Sequence, residues 1–172
     1  ARLVGLSRAA IGRRDFECAM RYAMSASDIA ERAAEPALLA RAACGLAFAH
    51  LAVGDSGGVA RDVAASVRAS RRSGDALCAV RVRLIGAEND RRAGRTAAAH
   101  ALANRITRIP AGNIPATVRA RGLLLRDLLA AVPGVDVVRR QVAASGLGAL
   151  VLFGPPVADE RRDIRVMVDD VL

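Results

Sequence analysis

Set against itself at a shift of 40 residues, the chain places Gly54, Gly94 and Gly134 in one column, with Arg14 in the same column of the first unit. Around each of these positions the same order recurs: an apolar helix-like run, a break containing Gly or Asp, a second Ala-rich run, and a terminator. A period of this length constrains the fold more than any single motif, because each unit has an apolar face that only its neighbours can bury. The terminators are "EP" at Glu35 and Pro36, "SGD" at Ser73 to Asp75, and "IPAGNIP" at Ile109 to Pro115. Glycine stops a helix by taking positive φ without penalty, and proline by lacking an N–H.

The second run of each unit has helical spacing. In "DFECAMRYAMSA", Phe16, Ala19, Tyr22, Ala23 and Ala26 recur at three- and four-residue steps, and in "GRTAAAHALANRI" Ala99, Leu102, Ala103 and Ile106 repeat that stripe. The small residues Ala19 and Ala99, with Val59 in the same column, admit a close neighbouring helix. Composition points the same way: 53% of the chain is apolar, yet it holds one Tyr, three Phe and no Trp. Without the aromatic bulk of a sandwich or barrel core, a chain rich in the helix formers Ala and Leu must bring its backbones close together. The expected fold class is all-α, and 172 residues suit one domain with a sizeable core.

The stretches "GRRDFECAMRYAMSA" and "GRTAAAHALANRITRIP" resemble the second half of tetratricopeptide units. That family sets Gly at the turn between helices, then Asp, an aromatic, Ala three residues later, and Pro after the second helix. Asp15, Phe16 and Ala19 match it in unit one, Gly54 and Asp55 in unit two, and Gly94, Ala99 and Pro110 in unit three. A unit of about 40 residues exceeds the standard 34 and is more similar to the degenerate arrays of large bacterial transcription activators, such as the maltose regulon activator and its LuxR-type relatives. The resemblance implies a right-handed superhelical array of antiparallel helical hairpins over residues 1–145, in units of about 1–36, 37–74, 75–113 and 114–145. It also implies a non-catalytic interaction or sensing module of a larger regulator, with first helices lining a concave groove.

Residues 146–172 stand apart. "GLGALVLFGPP" and "DIRVMV" read as two short strands, either a β-hairpin or the torn edge of a following domain. The initial Ala and the closing "VMVDDVL", which has no polar stop, read as the ends of an excised fragment.

The repeat register exposes one binding constellation. Arg41, Arg81 and Arg121 share a column near the starts of three successive first helices, a ladder suited to clamping carboxylates through bidentate hydrogen bonds. Cys44, Phe48 and Leu51 lie on the stripe of Arg41, and Leu84, Glu88 and Arg91 on that of Arg81. The partner-binding set is therefore Arg41, Cys44, Phe48, Arg81, Leu84, Glu88 and Arg121, and the expected partner is a protein or an acidic peptide. In a chain this rich in arginine, a solvated helical edge produces the same column by chance.

All 26 basic residues are Arg, the bias of a GC-rich bacterial genome, and the net charge of +9 steers anionic partners toward the chain. Nucleic-acid binding is one alternative, unaccompanied by a recognised motif or an aromatic stacking platform. Homodimerisation through apolar faces at the ends of the array is another. Cys18, Cys44 and Cys78 sit singly in apolar runs, with no CxxC and no secretory signal, as reduced thiols of a cytoplasmic protein do. No uninterrupted apolar run reaches the ~18 residues of a membrane span.

Two strings resemble catalytic motifs. "GDSGG" at Gly54 to Gly58 and "TAAAH" at Thr96 to His100 resemble the serine and histidine signatures of chymotrypsin-like proteases. That family runs His, Asp, Ser along the chain, whereas His100 follows Ser56, and both strings lie in helical periods. "GDSGG" is better read as the turn inside the second hairpin: Gly54 ends one helix, Asp55 or Ser56 caps the next, and Gly57 and Gly58 loosen the corner. "GDSGGVA" also lacks the Lys of a phosphate-binding loop. His50 reads as a helix-end residue at a repeat boundary, and the two histidines and three cysteines give no ligand spacing for a metal. With no coherent acid, base and nucleophile set, no enzyme activity and no cofactor are expected.

Overall fold

The structure, a computed structural model, describes residues 2–130. These form seven α-helices: α1 (Arg2–Gly12), α2 (Phe16–Ala33), α3 (Pro36–Val53), α4 (Ser56–Ser73), α5 (Ala76–Arg92), α6 (Thr96–Thr107) and α7 (Ala116–Ala130), with a 3-10 turn at Ala111–Asn113. No strand occurs among the described residues, so the fold is all-α there. The two strands expected within 146–172 and the end of the fourth unit, with Gly134, lie outside them.

The connections are tight and share one geometry. Arg14, Ala34, Gly54, Gly74 and Gly94 all have positive φ, between 52° and 82°, and follow one another at intervals of 20 residues. The column read at 40 residues from Arg14, Gly54 and Gly94 is thus every second member of a finer series. The terminators at Glu35 and Ser73 supply the rest, with Ala34 rather than Pro36 taking the turn in the first. Immediately after each left-handed residue comes the residue before the next helix: Asp15, Glu35, Asp55, Asp75 and Arg95. Three of these are caps in the chemical sense, since Asp15, Asp55 and Asp75 accept the backbone N–H of Cys18, Gly58 and Cys78 at 3.1, 2.9 and 2.9 Å. Pro36 opens α3 at a position where its missing N–H costs nothing.

Only the passage from α6 to α7 departs from this pattern. Pro110 disfavours helix at Ile109, α6 stops at 12 residues, and the 3-10 turn carries the chain to α7.

Each helix packs on its sequence neighbours, and the odd-numbered helices also pack on one another: α1 on α3, α3 on α5, α5 on α7. The alanine stripes are buried as their spacing predicts, with Ala19, Val59 and Ala99 all essentially inaccessible. One apolar cluster runs from Ala10 through Phe48 and Leu51 to Val82 and Ile85, and a second joins Leu84, Ala103, Ile106, Val118 and Leu125. Side-chain hydroxyls tie helices together inside it: Ser7 Oγ on α1 donates to the Ala19 carbonyl on α2 at 2.8 Å, and Ser66 Oγ on α4 to the Ala40 carbonyl on α3 at 2.7 Å. By length and composition α3 is long and apolar enough to cross a membrane, and half of that 18-residue window is buried inside the protein.

Candidate binding surface

The ladder arginines stand on three odd-numbered helices, Arg41 on α3, Arg81 on α5 and Arg121 on α7. Arg41 is exposed, and its Nε donates to Asp75 Oδ2 at 3.1 Å, joining α3 to the cap of α5. Asp75 is held below its ordinary pKa first by the Cys78 N–H, then, against burial, by the hydrogen bond and charge of Arg41 and the charge of Arg81. Arg121 is half-buried, and its guanidinium is pushed below its ordinary pKa first by burial and then by the positive charges of Arg8 and Arg81. Arg8 belongs to α1, so each of the four odd-numbered helices contributes an arginine. Arg8 and Arg81 make no hydrogen bond or ion pair among the described residues. Arg8 escaped the repeat register because it falls in the column of Phe48 and Glu88 rather than that of Arg41.

The other four residues expected at the groove are interior. Cys44, Phe48, Leu84 and Glu88 are 2%, 7%, 2% and 3% exposed. That corrects their placement on a docking surface: the odd helices pack against one another, and the stripe carrying these side chains is consumed in that packing. Glu88 is bound from its own helix, with Arg91 Nε and Arg92 Nε each at 2.8 Å. Arg92 Nη1 also donates to the Leu51 carbonyl at 2.9 Å, crossing to α3. The Cys44 thiol is pushed well above its ordinary pKa by its hydrogen bond with Cys78 and by burial. Cys78 Sγ lies 3.7 Å from Ser66 Oγ, whose proton is already given to Ala40. The same hydrogen bond from Cys44 holds the Cys78 thiol below its ordinary pKa, at about 6, with Ser70 and Ser66 adding to it against burial, so Cys78 is the one of the two that loses its proton.

"GDSGG" is a corner, as expected, but its glycines do not loosen it. Gly54 carries the left-handed φ of 82°, Asp55 is the cap, and Ser56 is the first residue of α4. His50, in the last turn of α3, lies inside this hairpin rather than at a boundary between repeats. Its Nδ1 is 2.8 Å from Asp55 Oδ2 and its Nε2 is 3.5 Å from Asp62 Oδ2, a clasp of close contacts in which neither is aligned as a hydrogen bond. Burial raises the Asp62 carboxyl above its ordinary pKa, while the Gly58 N–H lowers that of Asp55. Gly58 is buried beneath the imidazole, where a Cβ would lie 2.5 Å from His50 Nδ1. Ser56 opens α4 whereas His100 lies in the second turn of α6, so the two belong to separate hairpins.

A cleft of about 340 Å³ opens where the ends of α3 and α5 meet the start of α4. Two of the polar side chains lining it are engaged: Arg92 by Glu88 and the Leu51 carbonyl, Asn89 Nδ2 by the Ser56 carbonyl at 3.4 Å. Among the described residues no three His, Cys, Asp or Glu side chains are placed to hold a metal ion. Protein-family models, curated proteins and solved structures give no match to this chain.

Proposed function

We propose that the chain is a non-catalytic binding module, a right-handed array of antiparallel hairpins of tetratricopeptide-like form. On this reading its odd-numbered helices take an acidic peptide segment of a partner protein. The observation that carries it is the placement of Arg8, Arg41, Arg81 and Arg121 one on each of the four odd-numbered helices, which pack on one another in succession. Carboxylates laid across these arginines gain charge-assisted hydrogen bonds. Arg41 takes part through its exposed face, since its single bond to Asp75 leaves other guanidinium donors. Within a larger regulator, such a module serves as the docking arm.

The test is calorimetric titration with an alternating Ala-Glu decapeptide. Arg81→Glu is expected to weaken binding at least about tenfold, equivalent to about 1.4 kcal/mol, with the helical spectrum unchanged. An affinity that does not move with Arg81→Glu or with Arg8→Gln removes the ladder from function.

A further inference from the structure

We propose that α4 is a second docking surface, one that grips the phosphate backbone of duplex nucleic acid without reading its bases. The helix buries Val59, Asp62, Ser66 and Ser70 against its neighbours, packing chiefly on α3 and α5. Opposite that face, Arg61, Arg68 and Arg72 fall within about 40° of one another, with Arg71 beside them. All four are exposed, and so are Gly57, Ala60 and Ala64 between and around them. The one acid of α4, Asp62, is turned inward to His50, and Arg61 alone reaches it, at 3.4 Å. Arg68, Arg71 and Arg72 have no ion-pair partner among the described residues.

α2, a helix of the same 18-residue length, does not share this stripe. The exposed side of α2 mixes Arg21 and Arg32 with Glu17, Asp28 and Glu31, the balance expected of a solvated face. Favourable interaction with the helix C-terminus accounts for Arg71 and Arg72 in the last turn of α4, but not for Arg61 and Arg68.

The occupant follows from what the stripe has and lacks. A protein interface needs buried aromatic or aliphatic anchors, and single-stranded nucleic acid needs stacking platforms; the exposed face of α4 carries neither. Four arginines over about 17 Å of helix, flanked by Gly and Ala that let the helix approach closely, match a surface of dense, regular negative charge. Duplex DNA presents one charge per about 1.7 Å of its axis and is held through such contacts without sequence readout.

Fluorescence anisotropy of the 172-residue chain with a mixed-sequence 20-bp DNA duplex, across a salt series, tests this. The slope of log affinity against log salt is expected at about −3 to −4, from four arginines at about −0.9 each. Replacing all four arginines with Gln should weaken binding about 100-fold near 50 mM salt, and Arg61→Gln with Arg68→Gln should make the slope shallower by about two. That double variant leaves the last helical turn intact and decides the matter if the fourfold variant does not fold. Arg8→Gln with Arg81→Gln should leave the slope unchanged, which separates this surface from the acidic-peptide groove. No duplex binding at low salt, a slope indifferent to the α4 substitutions, or capture by anionic phospholipid vesicles in preference to duplex would each overturn the proposal.

Discussion

The imidazole of His50 covers Gly58 so closely that the corner between α3 and α4 has no room for one more carbon. A Cβ at Gly58 would collide with Asp55 Oδ2 and would meet the His50 ring at 2.5 to 2.6 Å, whereas at Gly57 it would meet only Asp55 Oδ1, at 3.6 Å. Gly58→Ala must displace the ring or the capping carboxylate, and is expected to destabilise the fold by about 1–3 kcal/mol. Gly57→Ala, on the exposed side of the first turn, gains helix propensity and should be neutral or stabilising by up to about 1 kcal/mol. Urea denaturation of the two variants checks this; equal effects would mean that the clasp exerts no constraint.

Stability should fall in acid through the three capping carboxylates. Asp15, Asp55 and Asp75 are each lowered below the ordinary value of 3.8, first by the backbone N–H they accept. A carboxyl whose folded pKa is depressed contributes stability above its unfolded pKa and loses it as pH drops through the folded value. Asn caps a helix about as well as Asp and does not titrate. Thermal melts of Asp15→Asn, Asp55→Asn and Asp75→Asn combined should therefore match the parent near neutrality and show a flatter decline below about pH 4. Asp62 works in the opposite sense: its carboxyl is raised by burial, so its contribution diminishes as pH rises from below 3.8 through the raised value, and it stays unchanged in this comparison.

Helix formation and the 40-residue period were legible because they live in local pattern: alanine stripes at helical spacing, and glycines or Asp at fixed intervals. The finer 20-residue series was hidden because two of its left-handed positions are Arg14 and Ala34, which carry no turn signal of their own. Arg41, Arg81 and Arg121 were legible as a column, since a register fixes which helix a residue is on. It does not fix depth: Cys44, Phe48, Leu84 and Glu88 share the arginines' stripe, and packing between odd-numbered helices took them into the interior. Arg8 and the His50 clasp depend on contacts between columns, which no one-dimensional alignment of the chain with itself can display.

Those two non-glycine turns carry avoidable strain. Ala34 at φ 52° and Arg14 at φ 60° occupy the left-handed region that Cβ disfavours. Gly74, half a hairpin on from Gly54, does the same work without that penalty. Ala34→Gly and Arg14→Gly are each expected to stabilise by about 0.5–1 kcal/mol after allowance for the greater freedom of Gly in the unfolded chain. Melting temperatures should rise by about 1–4 °C apiece. A fall at either site would mean that the side chain makes up the backbone cost.

Glu88 separates a structural role from a binding one. Its carboxylate is 3% exposed and holds Arg91 and Arg92, and Arg92 in turn bonds the Leu51 carbonyl at the end of α3. Removing the acid leaves two half-buried guanidinium groups without the carboxylate they share, a more costly change than losing a surface pair. Glu88→Ala is expected to cost about 2–4 kcal/mol, and Glu88→Gln less, because the amide oxygen still accepts one hydrogen bond. Affinity for the alternating Ala-Glu peptide, measured below the melting temperature of each variant, should not change. A variant of full stability with weakened peptide binding would return Glu88 to the docking surface, and with it the stripe it shares with Arg81.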